Sequence, residues 1–116
     1  MKTFLAIFTG SAAAMDAFRK LPEAEIARKQ AEGVKAWHAW VDKHKASIVQ
    51  MGGPLGKTKR ISKSGIEDVR NNMGAFTVVQ AESQEAAAKM FVGHPHFTIF
   101  PGDGVEVMEV MPIPPR

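Results

Sequence analysis

At 116 residues and 12.6 kDa, with 45% hydrophobic and 23% charged residues, the chain has the size and balance of one globular domain spanning 1–116, which argues against both wholesale disorder and a membrane-embedded protein. No apolar run approaches the roughly 20 residues that cross a bilayer. The absence of cysteine excludes disulfide frameworks, thiolate metal sites and cysteine nucleophiles and permits a reducing compartment, so a cytoplasmic location is expected, and 15 Lys plus Arg against 12 Asp plus Glu leave only +3, too little to mark a nucleic-acid surface.

The first 15 residues have the basic start, apolar centre and alanine-rich end of a secretory leader. The continuous apolar stretch is only Phe4 to Phe8, however, so residues 3–9 are expected to form a first β-strand. Pro22 with Glu23 and Glu25 marks a helix start, because proline suits the first turn and carboxylates favour the positive end of the helix dipole. A long helix over 22–46 follows, with Ile26, Gln30, Gly33, Val34, Trp37, Trp40, Val41 and His44 along one stripe. Residues 47–51 read as a short strand ended by Gly52-Gly53-Pro54. Residues 56–72 read as a polar loop holding at most a brief edge strand over 58–62. A strand over 75–82, the N-cap Ser83, a short helix over 84–92 stopped by Gly93, and a last strand over 105–111 complete the chain.

The order βαβ, then βαβ, is the split βαβ, ferredoxin-like plan of an α+β domain. Both faces of its strands are apolar: Leu5 and Ile7 alternate with Phe4, Ala6 and Phe8, and Val105 and Val107 with Met108 and Val110. Two helices cover one face of such a sheet, so a homodimer packed through the other face is expected.

Several motifs invite a functional reading. Gly52-Gly53-Pro54-Leu55-Gly56-Lys57-Thr58 mimics a phosphate-binding loop but misses its spacing by one residue and lacks the following helix. Residues 72–79 partly resemble an RNA-binding strand, yet Phe76 is their only aromatic and the chain has no tyrosine. The basic run Lys57, Lys59, Arg60 and Lys63, with a pI near 9.4, therefore reads as a solvated loop, and no nucleic-acid partner is expected. His38 and Asp42 lie one helical turn apart, where a carboxylate would orient an imidazole for proton transfer. His94 continues the stripe of Ala87, Met90 and Phe91 to the mouth of the core, while Pro95 and His96 turn away from the helix. The His94-x-His96 spacing lacks a third ligand, so no metal or other cofactor is expected. Trp37 and Trp40 suit the walls of an apolar pocket.

The segments 53–59 and 76–86, the His94-Pro95 step and Val105-Glu106-Val107 together resemble the YCII-related family, including its DGPF-type branch, over nearly the whole chain. The resemblance implies a dimeric α+β barrel with a cleft between sheet and helices, acid–base chemistry from a histidine and aspartate pair in that cleft, and Gly53 and Pro54 at its wall. Gly52 stands where the motif has aspartate, and His38 is only adjacent to the family's first-helix histidine position, whereas His94 matches the His-Pro step. The expected function is a small-molecule cleft performing cofactor-free proton transfer or elimination on an apolar or aromatic carboxylic substrate, with His94, or His38 with Asp42, as acid or base. The alternative is a non-catalytic dimeric module that binds a metabolite or regulates a partner.

Overall fold

A computed structural model describes residues Met1–Arg116. Its centre is β1, Lys2–Thr9, whose alternation puts Phe4, Ala6 and Phe8 on a fully buried side and Leu5 and Ile7 on a half-buried one. α1, Ala12–Arg19, follows immediately and was not anticipated from the sequence. The alanine run there is helical because alanine has the best helix propensity and Ser11 caps it, its hydroxyl accepting the Ala14 N–H at 3.2 Å. α2, Glu23–His44, matches the long expected helix, and its last turn tightens into a 3-10 turn over Lys45–Ser47.

β2, Ile48–Pro54, runs on through Gly52 and Gly53 instead of ending before them, at the expense of irregular pairing. Gly52 has φ +67, and a Cβ there would collide with the Phe76 carbonyl, so glycine is required where β2 bulges. The brief edge strand expected over 58–62 is β3, Thr58–Ser62, and the rest of the expected loop supplies its hairpin partner β4, Gly65–Val69. Both faces of the hairpin are largely solvated, which removes the apolar alternation that identifies strands. Cross-strand charge pairs take its place: Lys59 bonds Asp68 at 2.7 Å and Arg60 pairs with Glu67. Two of the four residues of the basic run are thus matched by carboxylates.

β5, Met73–Ala81, and β6, Gly104–Glu109, lie on either side of β1, giving one antiparallel sheet in the order β2-β5-β1-β6. This is the ferredoxin-like α+β arrangement. α3, Gln84–Lys89, is shorter than expected, and the chain then makes a separate turn of helix, α4, Pro95–Thr98, begun by proline at its first position. Both α2 and α3 cover the same side of the sheet. Trp40, Ala87 and Phe91 close there over Phe4, Ala6, Phe8 and Val79, each large buried side chain contributing about 1.5–3 kcal/mol. Register places Leu5, Val78 and Met108 side by side on the opposite face, with Ile7 beside them, and no helix packs there. No helix is long and apolar enough to cross a membrane.

One glycine brings the C-terminal half onto α2. Gly33 is buried, and a Cβ on it would meet the ring of Phe100. Gly33→Ala should therefore lose the gain of about 1 kcal/mol that alanine brings to a helix interior and instead cost about 1–2 kcal/mol by overpacking. Urea denaturation checks this; a stabilised variant would show that Phe100 gives way freely.

Candidate functional site

A cleft of about 700 Å³ opens between α1, α2 and the β2–β5 end of the sheet. Its inner wall is aromatic. Phe8 and Trp37 have ring centroids 5.1 Å apart, and Phe100 adds a third ring 6.1 Å from Trp37. Gly53, Pro54, Trp37 and His38 line it. Trp40 does not. It is buried in the core with its indole N–H donated to the Met90 carbonyl at 2.7 Å, because it sits three residues beyond Trp37 on α2 and faces Phe91.

The histidines are arranged differently from the expectation. His94 is 1% exposed and lies one layer behind the cleft wall, packed against Trp37 at 4.5 Å and Phe8 at 5.1 Å, with Trp40 at 4.8 Å behind it. Its Nδ1 accepts the backbone N–H of His96 at 3.0 Å, so the imidazole acts as the N-cap of α4 and carries its proton on Nε2. That Nε2 has no hydrogen-bond partner. Burial first, and then the neighbouring His96 and His44, lower its pKa from 6.5 to about 4, so His94 is neutral at physiological pH. His38 sits exposed beside the cleft, but Asp42, one turn on, is exposed and makes no bond to it. The two residues share a helix face without forming a pair.

His96 is the residue that the sequence reading passed over. It lines the cleft, and three bonds hold it in place. Its amide is taken by His94, its carbonyl accepts the Gly102 N–H at 3.0 Å, and its Nε2–H donates to the Thr9 carbonyl at 2.7 Å. A carbonyl only accepts, so the tautomer is set: the proton is on Nε2, and Nδ1 is a free acceptor with no protein partner. The ring lies 5.2 Å from that of Phe8, and its other side abuts Gly102, where a Cβ would strike the imidazole. Pro95 after a residue able to cap a helix was the available signal. It implies that His94 turns its side chain back to the backbone and leaves His96 to project.

The cleft contains no Lys, Arg, Asp or Glu. A carboxylate entering it would meet only His38, His96 and the Asn72 amide, with no lysine or arginine to pair with. No three His, Cys, Asp or Glu side chains converge anywhere in the chain.

No protein family matches the sequence, and no curated protein does. Among solved structures the chain is similar to 5-chloro-2-hydroxyhydroquinone dehydrochlorinase from Burkholderia phenoliruptrix AC1100 in complex with 2,5-dihydroxybenzoquinone, with a TM-score of 0.56 and 18% identity over 94% of this chain and 93% of that one. The likeness is one of fold, and it agrees with the ferredoxin-like α+β architecture.

The burial of the neutral His94 ring makes stability depend on pH. An unfolded histidine protonates near 6.5, whereas the folded one resists until about 4, so the contribution is complete above pH 6.5 and is lost as pH falls toward 4. The loss should reach roughly 3 kcal/mol. Protonation would also put a hydrogen on Nδ1, facing the amide it caps. Melting curves between pH 7.5 and 4 should show this decline, and His94→Asn, which still caps but does not titrate, should flatten it.

Proposed function

We propose that the chain, as a YCII-related protein, binds a small organic molecule in this cleft and carries out cofactor-free proton transfer on it, with His96 Nδ1 as the base. The observation that carries the reading is the fixed tautomer: the Thr9 carbonyl holds the Nε2 proton and leaves a lone pair on Nδ1 at a residue lining the cleft. A carbon acid beside a carbonyl would give its proton to Nδ1 while the C–H electron pair moves onto the carbonyl oxygen as an enolate. The imidazolium so formed keeps its Nε2–H bond to Thr9, which stabilises the positive charge. Asn72, whose side-chain amide makes no bond within the protein, is the neutral donor available to the enolate oxygen. Return of the proton to another carbon completes an isomerisation, and expulsion of a leaving group from the enolate completes an elimination. Dehydrochlorination, the activity named for the Burkholderia protein, is itself an elimination, which supports the reaction class.

One observation favours a second reading. Neither cleft histidine has a carboxylate beside it, so the same cleft also suits a non-catalytic module that binds its ligand unchanged. Deuterium exchange separates the two. The protein should accelerate exchange of the α-hydrogens of 2-tetralone in buffered D2O, followed by NMR. His96→Gln should reduce that rate by 10²-fold or more, the scale of a lost general base, while His38→Gln should retain most of it. Binding of 2-tetralone without accelerated exchange would favour the module.

We also propose a homodimer formed through the face bearing Leu5, Ile7, Val78 and Met108, which α2 and α3 leave uncovered. Sedimentation equilibrium at micromolar concentration should return twice the 12.6 kDa chain mass. Leu5→Arg should return the mass to that of one chain, because an unpaired charge would then enter the dry interface.

A further inference from the structure

The cleft's lining says what kind of molecule it holds, an inference that rests on the small-molecule reading above. Its size comes first. A cavity of about 150 Å³ is enough for benzene, so a single ring would leave most of the 700 Å³ empty. Its charge comes second. None of the lining residues is Lys, Arg, Asp or Glu, and the two histidines are the only titratable groups present. An anion entering such a space gives up hydration without meeting a counter-charge, whereas a neutral molecule gives up little. Its free polar groups come third, and they are few. The Thr77 hydroxyl is already donated to the Met51 carbonyl. Asn71 is spent on Met73 and Thr58, leaving His96 Nδ1, Asn72 and His38.

The opening carries the fourth observation. Met15 from α1, Val34 from α2, Met51 from β2 and Met73 from β5 all border the cleft while being between 40% and 56% exposed. Four separate elements thus bring a large apolar side chain to one mouth, where solvent alone would favour polar ones. Methionine adapts its shape to an irregular apolar partner, so this rim suits a ligand body that extends outward past the aromatic wall.

We infer that the cleft binds an uncharged, planar molecule of at least two fused rings, carrying a hydroxyl group that donates to His96 Nδ1, with its ring system between the aromatic wall and the methionine rim. Selectivity against anions of the same shape comes from the missing counter-charge, and selectivity against single rings from the unfilled volume.

Isothermal titration of the full chain with 2-naphthol, 2-naphthoate and phenol at pH 7.5 tests this. The expected result is that 2-naphthol binds at least tenfold more tightly than either of the others. Met51→Lys, or Met73→Lys if that variant does not fold, should narrow the gap between 2-naphthol and 2-naphthoate by supplying a cation at the rim. Equal or tighter binding of 2-naphthoate or phenol to the wild type would overturn the inference, as would no binding of any of the three. The outcome is separable from the acid–base reading. Preference for 2-naphthol without 2-tetralone exchange leaves the ligand class standing and removes the catalysis, whereas exchange without that preference does the reverse.

Discussion

The imidazole of His94 holds two opposed demands. Its Nδ1 must accept the His96 amide for α4 to begin, and its Nε2–H must then lie among Phe8, Trp37, Trp40 and Phe91 with no polar partner. An unsatisfied buried donor costs on the order of 1–3 kcal/mol. Each aromatic pair contributes about 0.5–1.5 kcal/mol beyond area burial, so four such neighbours offset the penalty. The ring is stable in that place only while neutral. The cap is one of the three bonds that hold His96, beside those to Thr9 and Gly102.

From that turn the geometry propagates outward through backbone bonds. The Thr9 carbonyl accepts both the His96 Nε2–H and the Asp103 N–H, tying the end of β1 to the loop that leads into β6. Gly102 lets the imidazole lie against the backbone, and Gly33 lets Phe100 reach α2. Two missing Cβ atoms thereby shape one wall of the cleft. That wall is thus set between the loop leading into β6 and the long helix.

The sheet divides the chain's apolar residues between two tasks. Phe4, Ala6 and Phe8 are satisfied within the chain by α2 and α3, whereas Leu5, Ile7, Val78 and Met108 are left on a face that no element covers. Phe8 serves a second purpose, since it also lines the cleft and touches both His94 and His96. Packing in the core and the placement of the candidate base therefore cannot be altered separately at that residue.

Periodicity was sufficient to determine the βαβ-βαβ order, the long helix with Trp37 and Trp40 on its stripe, and the two apolar faces of β1, because each of these depends on neighbours within a few residues. Of the β3–β4 hairpin only the brief edge strand over 58–62 was legible; β4 was not, because its cross-strand charge pairs leave no apolar alternation and its polar composition is that of a loop. α1 was illegible because its alanines fit a leader's end as well as a helix. At the site, the helical stripe expected to carry His94 to the mouth of the core stops short, since α3 ends at Lys89 and His94 instead caps α4 with its side chain turned back onto the His96 amide; the His38–Asp42 spacing likewise could not show whether the pair closes. Only the tertiary structure decided that His96 meets Thr9 and leaves one nitrogen free. That bond joins residues 87 positions apart, a separation over which no local pattern carries information.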